Sequence, residues 1–194
     1  MADGTDGRVA RGERTREAII HAHAALLREG VLKPTGKLIA ERAGVSLRTV
    51  WLNFNDVEAL LTETTRYWSQ ADAALRTDID PELPVDQRID LFCAMRVRRL
   101  EHLAPAARSA ALGEPFSAVL AASRQEQVAR VTGDVDEVFA AELKAAGDRR
   151  AVLAAELFVA ASWPAWSSLR GDLGLDVPAA AAVMRDTMAR LLRT

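Results

Sequence analysis

The stretch IAERAGVSLRTVWLNFNDVEALL, which runs from residue 39 to residue 61, places one glycine between two short helical patterns. Two helices that cross closely need a small residue at the crossing, and Ala40 is such a residue. Gly44 follows four positions later and tolerates the left-handed backbone conformation of a tight turn. Val45 closes the corner, and Val50 is a branched apolar side chain that can pack back onto the crossing. This spacing predicts a helix-turn-helix unit.

Polar residues that commonly begin helices stand at the start of each predicted helix in this region. Thr35 is a suitable N-cap for the helix before the turn, and Ser46 for the helix after it. Asn55, with Glu58 three residues later, matches a capping box and predicts the start of a fourth helix. Three helix starts are therefore predicted in close succession.

The helix after the turn is predicted to present one face to solvent. Because Val50 and Phe54 point toward the crossing, Arg48 and Leu52 point away from it. Nine Lys and Arg residues and four Glu residues lie between residues 8 and 53, whereas the whole chain has a net charge of −2. An exposed helix on a locally basic unit favours insertion into the DNA major groove. The alternative is a plain helical hairpin with a solvated basic face.

The longer stretch TGKLIAERAGVSLRTVWLNFNDVEALL, with a helical pattern before it, resembles the tetracycline-repressor (TetR) family. The usual pattern of that family is IA..AGVS..T.Y..F..K..L after a helix-capping Thr, and the match covers about residues 14–62. The rest of the chain matches only in layout, as a helical regulatory domain. The resemblance implies a homodimeric transcriptional regulator, most often a repressor, on a palindromic DNA operator. Such a regulator leaves the operator when a small-molecule effector enters its C-terminal domain.

Carried over by position, the resemblance implies a set of DNA-contacting residues on the second and third helices. This set is Lys37, Ser46, Leu47, Arg48, Thr49, Trp51 and Asn53. Three positions depart from the family pattern, since Trp51 stands for the usual Tyr, Asn53 for the usual His and Val57 for the usual Lys. The change at Val57 removes a cation that would meet a phosphate and leaves Asp56 and Glu58 near the DNA backbone. The rival hypothesis is a small-molecule- or partner-binding module with a weakened DNA-binding head.

The whole chain is predicted to be all-α with about nine helices, because no stretch alternates with the period of a strand. Residues 1–12 are predicted to form a disordered arm, residues 13–55 a helix-turn-helix domain, and residues 56–194 a ligand-binding and dimerisation domain. The single cysteine excludes an internal disulfide, and no signal peptide or run of about 18 apolar residues is present. These features predict a cytoplasmic protein without a membrane partner.

The sequence offers no pattern typical of an enzyme or a metal site. It contains no Gly-rich phosphate loop, no cluster of metal-ligating residues and no nucleophile elbow. No catalytic residue, cofactor or metal ligand is therefore predicted. His23 falls on the apolar stripe of the first helix and is predicted to be a core histidine. Cys93 is predicted to be a buried small hydrophobe, with a redox sensor as the alternative.

Arg96 lies in the middle of an otherwise apolar stripe of the fifth predicted helix, between Phe92 and Leu100. A guanidinium there has to pair with an acid, bend outward, or face a cavity. The cavity alternative predicts an anchor for an acidic ligand, with Phe92 and Phe116 as further ligand-binding residues.

The last two predicted helices combine small residues with bulky apolar ones, and in the TetR family the corresponding helices form a four-helix dimer interface. The residues predicted for this interface are Val159, Trp163, Ala181, Met184 and Met188. Trp163 and Trp166 fit the monomer core or a ligand pocket as well, and Pro164 between them predicts a kink.

Overall fold

The computed structural model describes the backbone of residues 3–193 and the side chains of residues 9–193. Within these limits the chain forms ten α-helices and no strand, which confirms the predicted all-α class. The helices are α1 Asp3–Arg28, α2 Gly36–Ala43, α3 Leu47–Asn53, α4 Val57–Ala73, α5 Val85–Gly113, α6 Ala118–Val138, α7 Ala140–Ala145, α8 Arg150–Ala161, α9 Trp163–Ser167 and α10 Val177–Leu191. Short helical turns of other types occupy Glu114–Phe116, Gly147–Arg149 and Ser168–Asp172.

The described helices are grouped in two compact units, and the division falls inside α4, α5 and α6. The first unit comprises the chain up to Ala71 together with Leu103–Ser123. The second unit comprises Asp72–His102 and the chain from Arg124 onward. The functional boundary predicted after residue 55 follows the helix-turn-helix motif and stays a prediction.

The first unit has a core in which α1 packs against the helix-turn-helix. Ile19 and Leu26 of α1 join Ala40 of α2 and Val50 and Phe54 at α3, and none of these side chains is more than 3% exposed. The small Ala40 side chain lets the helices approach closely at the crossing, as its position in the sequence predicts. Burial of these apolar side chains fixes α3 relative to the rest of the unit.

A second, smaller cluster in the same unit lies on another side of α1. Ala24 and Leu27 pack against the ring of Trp68 on α4. The guanidinium of Arg28 lies over the Trp68 ring, 4.6 Å from its centroid. His23 is only 6% exposed, and burial lowers the pKa of its imidazole to about 4. The predicted core position of His23 is therefore confirmed, and the side chain is neutral at physiological pH.

The core of the second unit is built around two phenylalanines from α5 and the α6–α7 junction. The rings of Phe92 and Phe139 meet edge to face, with centroids 5.3 Å apart. Next to them, the Cys93 sulfur lies 3.6 Å from the sulfur of Met188 on α10. Burial, with a smaller contribution from Asp90, raises the pKa of the Cys93 thiol to about 12. The prediction of a buried cysteine is confirmed, and an enclosed neutral thiol gives no support to a redox sensor.

Helix α5 is longer than the sequence predicts. Pro105 predicts a break, yet α5 runs without interruption from Val85 to Gly113. A proline inside a helix removes one hydrogen bond and costs about 3 kcal/mol. The neighbouring turn offsets this cost, since Leu103 and Ala106 pack against the cluster around Trp68.

Residues 116–146 have a locally continuous helical pattern, yet the structure divides this tract into α6 and α7 at Phe139. Phe139 leaves the helical conformation, with φ −115° and ψ 27°, and its ring is completely buried. The break frees carbonyl groups at the end of α6, and Arg88 Nη1 donates to the Val138 carbonyl at 2.6 Å. Arg88 also pairs with Glu142 of α7. Long-range burial of one ring therefore overrides a locally continuous helical pattern.

Helix α1 begins at Asp3, inside the segment predicted to be a disordered arm, and the predicted domain bounds stay a prediction. No proline interrupts that segment, and the hydroxyl of Thr15 donates to the Arg11 carbonyl within the helix at 2.9 Å. Residues 1 and 2 lie outside the described part of the chain.

Candidate nucleic-acid interface

The turn between α2 and α3 has the backbone geometry that its sequence predicts. Thr35 and Ser46 each accept a hydrogen bond from the backbone N–H three residues later, at 3.2 and 3.0 Å, so both predicted N-caps are confirmed. Gly44 adopts a left-handed conformation with φ 69°. The N–H of Val45 then donates to the Ala40 carbonyl at 3.0 Å and closes the end of α2. These local bonds set the angle at which α3 leaves the turn.

The two faces of α3 differ sharply in exposure. Val50 is completely buried, and Phe54 just after α3 is 1% exposed. Leu47 and Leu52 are 44% and 71% exposed, and Arg48 is also exposed. The outward direction predicted for Arg48 and Leu52 is confirmed. An apolar leucine held in solvent next to an arginine is a surface suited to a partner with both apolar and anionic groups.

Two cations of the first unit are held by internal bonds. Arg42 donates two hydrogen bonds to the carboxylate of Glu29. Arg16 donates to Glu63 at 3.0 Å and to the Asn53 carbonyl, at the end of α3, at 2.6 Å. Arg16 therefore stabilises the C-terminal end of α3, where carbonyl groups lack helical partners.

Arg48 and Lys37 are the predicted DNA-contacting cations, and both remain accessible. Arg48 forms no ion pair within residues 9–193. The ammonium of Lys37 lies 3.9 Å from Glu41, and the Lys37 side chain is 80% exposed. An exposed pair at that separation contributes little to stability. Both side chains can therefore reach an external anion without breaking a bond on which the fold depends.

The polar residues of α3 are engaged to different degrees. The side-chain amide of Asn53 donates to the Thr49 carbonyl at 2.8 Å. The Thr49 hydroxyl shares a hydrogen bond of 2.8 Å with Ser46. Trp51 is half-buried, and its indole N–H donates to no group among the residues that the structure describes. Trp51 therefore keeps its single donor uncommitted, whereas Asn53 and the Ser46–Thr49 hydroxyl pair already use part of their donor capacity in bonds inside α3.

The start of α4 differs from the predicted capping box. Asp56, not Asn55, is the cap, since its carboxylate accepts from the Ala59 N–H at 2.7 Å. Glu58 does not reach back toward the cap but accepts from the N–H of Val119 at 3.3 Å. Asn55 is not the N-cap because α4 begins one residue later than the sequence pattern suggests. Val57, the position that departs from the family pattern, is 56% exposed.

Arg96 in the second unit is buried, and its hydrogen-bond partner is a backbone carbonyl, which the sequence does not suggest. It is 3% exposed, and its Nε and Nη2 both donate to the Ala161 carbonyl, at 3.2 and 2.8 Å. Burial, reinforced by the neighbouring Arg99, lowers the pKa of Arg96 to about 10. The guanidinium is therefore still charged at neutral pH, and it neither pairs with an acid nor bends outward.

The Ala161 carbonyl is free to accept because α8 ends there. Ser162 is extended, with ψ 158°, and begins the next helix as an N-cap. The N–H of Ala165 would bond to Ala161 in a continuous helix, but it donates to the Ser162 hydroxyl at 3.5 Å. The kink predicted at Pro164 is thus a complete break at Ser162. A buried cation at the resulting helix end also meets the negative end of the helix dipole.

The three predicted ligand-binding residues belong to different units and differ in burial. Phe92 is fully buried in the core of the second unit, one turn before Arg96 on α5. Phe116 belongs to the first unit and is 88% exposed. The ring of Phe116, the last residue of the turn Glu114–Phe116, thus faces solvent, and the ligand-binding roles stay predictions.

Sequence reasoning missed a buried ion cluster in the second unit. Arg99 is 1% exposed and donates to Asp72 at 3.0 and 2.7 Å and to Asp134 at 2.6 Å. Arg76 donates to the same Asp134 at 3.1 Å. Burial alone would lower the pKa of Arg99, but the bonds to the two carboxylates raise it above its ordinary value. One signal was present, since Arg99 lies three residues after Arg96 and therefore on the same helical face.

A shallow apolar groove runs along α8 and α10 in the second unit. Its lining includes Ala155, Val159, Val183, Met184 and Thr187. Val159 and Val183 are 58% and 42% exposed, so the groove presents apolar surface to solvent.

The predicted interface residues are divided between this groove and the core of the unit. Val159 and Met184 line the groove, although Met184 is 1% exposed. Trp163 and Ala181 are partly buried against the core. Met188 is completely buried beside Cys93. The assignment of all five residues to a dimer interface stays a prediction.

Trp166, for which the sequence left core and interface open, belongs to the core. It is 1% exposed, and its indole N–H donates to Glu101 at 2.8 Å. The neighbouring tract Gly147–Asp172 is the one stretch of the described chain long and apolar enough on average to cross a membrane. Its helical path is interrupted at Ser162, and part of its apolar surface lines the groove with α10.

Two solved structures share this arrangement of helices over nearly the whole chain. A transcriptional regulator from Rhodococcus sp. Rha1 has a TM-score of 0.69 and 15% identity, covering 94% of this chain and 96% of that chain. A proposed TetR-family transcriptional regulator from Mesorhizobium loti MAFF303099 has a TM-score of 0.62 and 18% identity, covering 94% and 97%. The chain has the TetR fold. No protein-family model and no curated protein matches the sequence. The TetR resemblance seen in the sequence is therefore confirmed for the fold.

Proposed function

We propose that the chain is a DNA-binding transcriptional regulator, and most simply a repressor that binds a palindromic operator. The observation that carries this proposal is that Arg48 on α3 is exposed and forms no ion pair among the described residues. The helix-turn-helix that holds α3 buries the residues of its inner face. Lys37, at the start of α2, adds a second accessible cation. An α-helix with this kind of outward face fits the major groove of B-DNA. The TetR fold of two transcriptional regulators supports the same function.

Arg48 tests the proposal most directly. Arginine can bond both acceptors of a guanine edge, and a good bidentate contact contributes about 1–3 kcal/mol of discrimination. We expect Arg48→Ala to relax operator preference while the melting temperature stays unchanged, since Arg48 bonds to nothing on which the fold depends. Selection of bound fragments from genomic DNA would supply the operator, and a panel of operator mutants would measure the preference. A variant with wild-type preference across that panel would refute the role of Arg48.

The proposed regulator is a homodimer that uses the groove along α8 and α10. One helix-turn-helix offers few base contacts, and two heads related by a dyad match a palindromic site. Val159 and Val183 would be removed from water by a second copy of the same surface. We expect Val159→Glu to give monomers in sedimentation at micromolar concentration. Leu173→Glu is the matched control, because Leu173 is 67% exposed but lies outside the groove lining. Wild-type protein that sediments as a monomer with and without DNA would contradict the dimer.

The proposed response to an effector is a shift between two conformations of different DNA affinity. Helix α4 contributes its first part to the first unit and Asp72, near its end, to the second. A small molecule that binds the second unit and changes the surroundings of Asp72 would therefore act on a helix that continues into the first unit. A thermal-shift screen of small acids and apolar compounds, followed by operator release, tests this step. A compound that stabilises the protein but never changes operator affinity would argue against coupling.

The rival function is a ligand- or partner-binding module whose DNA-binding head is weakened. Val57 in place of a family lysine favours this alternative, because one phosphate contact per head is missing. Titration of random duplex DNA at several salt concentrations separates the two hypotheses. Binding that strengthens steeply as salt falls supports the regulator, and a flat response supports the module.

A further inference from the structure

The start of α2 and the middle of α3 meet at a glycine. Gly36 is the first residue of α2, directly after the N-cap Thr35. A Cβ added at Gly36 would lie 2.6 Å from Cζ2 and 3.3 Å from Cε2 of Trp51, and 3.2 Å from a methyl group of Leu47. Carbon atoms of neighbouring side chains normally stay about 3.5–4 Å apart. The indole of Trp51 therefore occupies the space that any other side chain at position 36 would need.

Backbone conformation does not explain the glycine at this position. The glycines with positive φ within the described chain are Gly30, Gly44, Gly147 and Gly174. Gly36 is in ordinary helical conformation, where alanine is favoured over glycine by up to about 1 kcal/mol. The approach of the Trp51 indole, with a smaller contribution from Leu47, is what opposes a larger residue here.

We infer that Gly36 is a positioning residue for Trp51, a residue already predicted to contact DNA, and that it holds the indole N–H in the place from which that residue can donate to a phosphate oxygen. This inference rests on the proposed DNA-binding function. Within the indole, Nε1 is bonded to Cε2, one of the two ring atoms that lie against Gly36. The N–H therefore leaves the ring on the side near the start of α2, where Lys37 is the next residue. It has no acceptor among the described residues, so the donor is available to an external anion.

Leu47 and Trp51 form the other half of this arrangement. They lie four residues apart, so they are neighbours on one face of α3. The same added Cβ would touch both, which shows that the two side chains together close over the Cα of Gly36. Because the indole is only half-buried, a larger residue at 36 can push it outward without unfolding the unit. We therefore expect the Gly36→Ala variant to fold and to have the indole N–H of Trp51 displaced.

The expected effect on binding follows from the kind of contact. A hydrogen bond to a charged group contributes about 1.5–3 kcal/mol, so losing it should weaken binding by at least about tenfold. The loss should be similar for an operator and for random DNA, because phosphate contacts position a protein without reading bases. Thermal stability should be unchanged or slightly higher, owing to the better helix propensity of alanine.

A double-mutant cycle isolates the pair Gly36 and Trp51. Phenylalanine lacks both the Cζ2 edge and the N–H, so Gly36→Ala should weaken DNA binding in the wild type and have no effect in a Trp51→Phe background. Gly133→Ala is the control, because a Cβ at Gly133 would meet nothing within 4 Å. The probe is a random-sequence duplex of about 30 bp, long enough for two half-sites one helical turn apart. Equal weakening by Gly36→Ala in both backgrounds would overturn the inference.

Fluorine NMR with 5-fluorotryptophan reads the ring position without any DNA. The chain has four tryptophans, and Trp51→Phe identifies the resonance of Trp51. Gly36→Ala should move that resonance and leave the other three in place, whereas an unmoved Trp51 resonance overturns the positioning role. If the wild-type protein binds no duplex at low salt, the proposed function and the phosphate contact both fail. The fluorine spectra then decide the positioning role alone.

Discussion

The two units of this chain use arginine in opposite ways. In the first unit, Arg48 is exposed on α3 and forms no ion pair within the described residues. In the second unit, Arg88, Arg96 and Arg99 are at most 5% exposed, and each donates to a carboxylate or a helix-end carbonyl. A buried charge is tolerated only when its bonds replace water. Removing a cation from the second unit should therefore cost stability, whereas removing one from α3 should cost binding to a partner.

Arg99→Met is the strongest test of this contrast. The substitution removes the cation between Asp72 and Asp134. It leaves these two buried carboxylates without their main hydrogen-bond partner. Breaking a buried pair in this way typically costs about 3–5 kcal/mol of unfolding free energy. Urea unfolding followed by circular dichroism at neutral pH measures the loss.

The control for Arg99 is Arg185→Met. Arg185 pairs with Asp90 on the surface, with side chains 42% and 53% exposed, and exposed pairs of this kind contribute little to stability. If both variants lose the same small amount, burial of the Arg99 cluster has no special energetic role, and the contrast between the units disappears.

His23 is an ionisable group of the first unit that is buried, and it provides the second test. Burial lowers its pKa to about 4 from an ordinary value of 6.5, so the unfolded chain binds this proton more readily. The stabilisation associated with neutral, buried His23 is fully present above pH 6.5 and is lost as pH falls from about 6.5 to 4. A pKa difference of this size lowers the free energy of unfolding by about 3 kcal/mol at the acid end of that range.

The His23 effect is measured as the change in unfolding free energy between pH 7 and pH 4.5, compared with a His23→Leu variant that cannot bind the proton. His21→Gln is the control, since His21 is exposed beside Tyr67. The wild type and His21→Gln should lose more stability than His23→Leu. Parallel losses in all three would show that His23 is protonated in the folded state at no cost.

Local signals explain why the first unit could be predicted in detail. Thr35, Gly44 and Ser46 each act within a few residues of their own position, so a short stretch of sequence contains all the necessary information. The cap of α4 shows the limit, because Asp56 and Asn55 are both good N-caps and only the exact helix start decides between them. Trp51 could be assigned to α3, but its contact with Gly36 depends on how two helices cross.

Long-range contacts explain why the second unit was predicted only in outline. The break at Phe139 and the continuity of α5 through Pro105 follow from burial against residues far away in sequence. Arg96 was recognised as unusual, but its partner is a carbonyl 65 residues later, freed by a helix break that the sequence placed only approximately. Tertiary packing commonly overrides local helix preferences in this way.

Arg96→Met sharpens the comparison, because Arg96 binds a neutral carbonyl and not an acid. The substitution keeps most of the side-chain volume but leaves the Ala161 carbonyl without a donor, at a cost of about 1–3 kcal/mol. We expect a loss smaller than that of Arg99→Met, measured by the same urea titration. Arg96→Lys should recover part of it by keeping a cation near the end of α8.

If Arg96→Met is as stable as the wild type but no longer responds to an acidic effector, the structural role of Arg96 is refuted. The ligand-anchor hypothesis from the sequence would then be restored. A variant that is less stable yet still releases operator at the wild-type effector concentration would support the structural role.

The smallest expected effect concerns Val57, at the first position of α4. The side chain is 56% exposed, and its acidic neighbours are occupied, Asp56 as the cap of α4 and Glu58 with the Val119 N–H. A lysine at 57 would therefore add an accessible cation without a competing internal partner.

Each phosphate that is neutralised adds about 0.9 to the magnitude of the logarithmic salt slope, so a dimer should gain roughly two. Val57→Lys should tighten operator and random DNA alike, and sequence preference should hardly change. Titrations of labelled operator and scrambled duplex at several salt concentrations measure the slope, with Leu173→Lys, at an exposed residue outside the groove lining, as the control for added charge. Equal slopes for Val57→Lys and Leu173→Lys would mean that the start of α4 does not approach DNA, and the docking implied by the TetR resemblance would have to be revised for this chain.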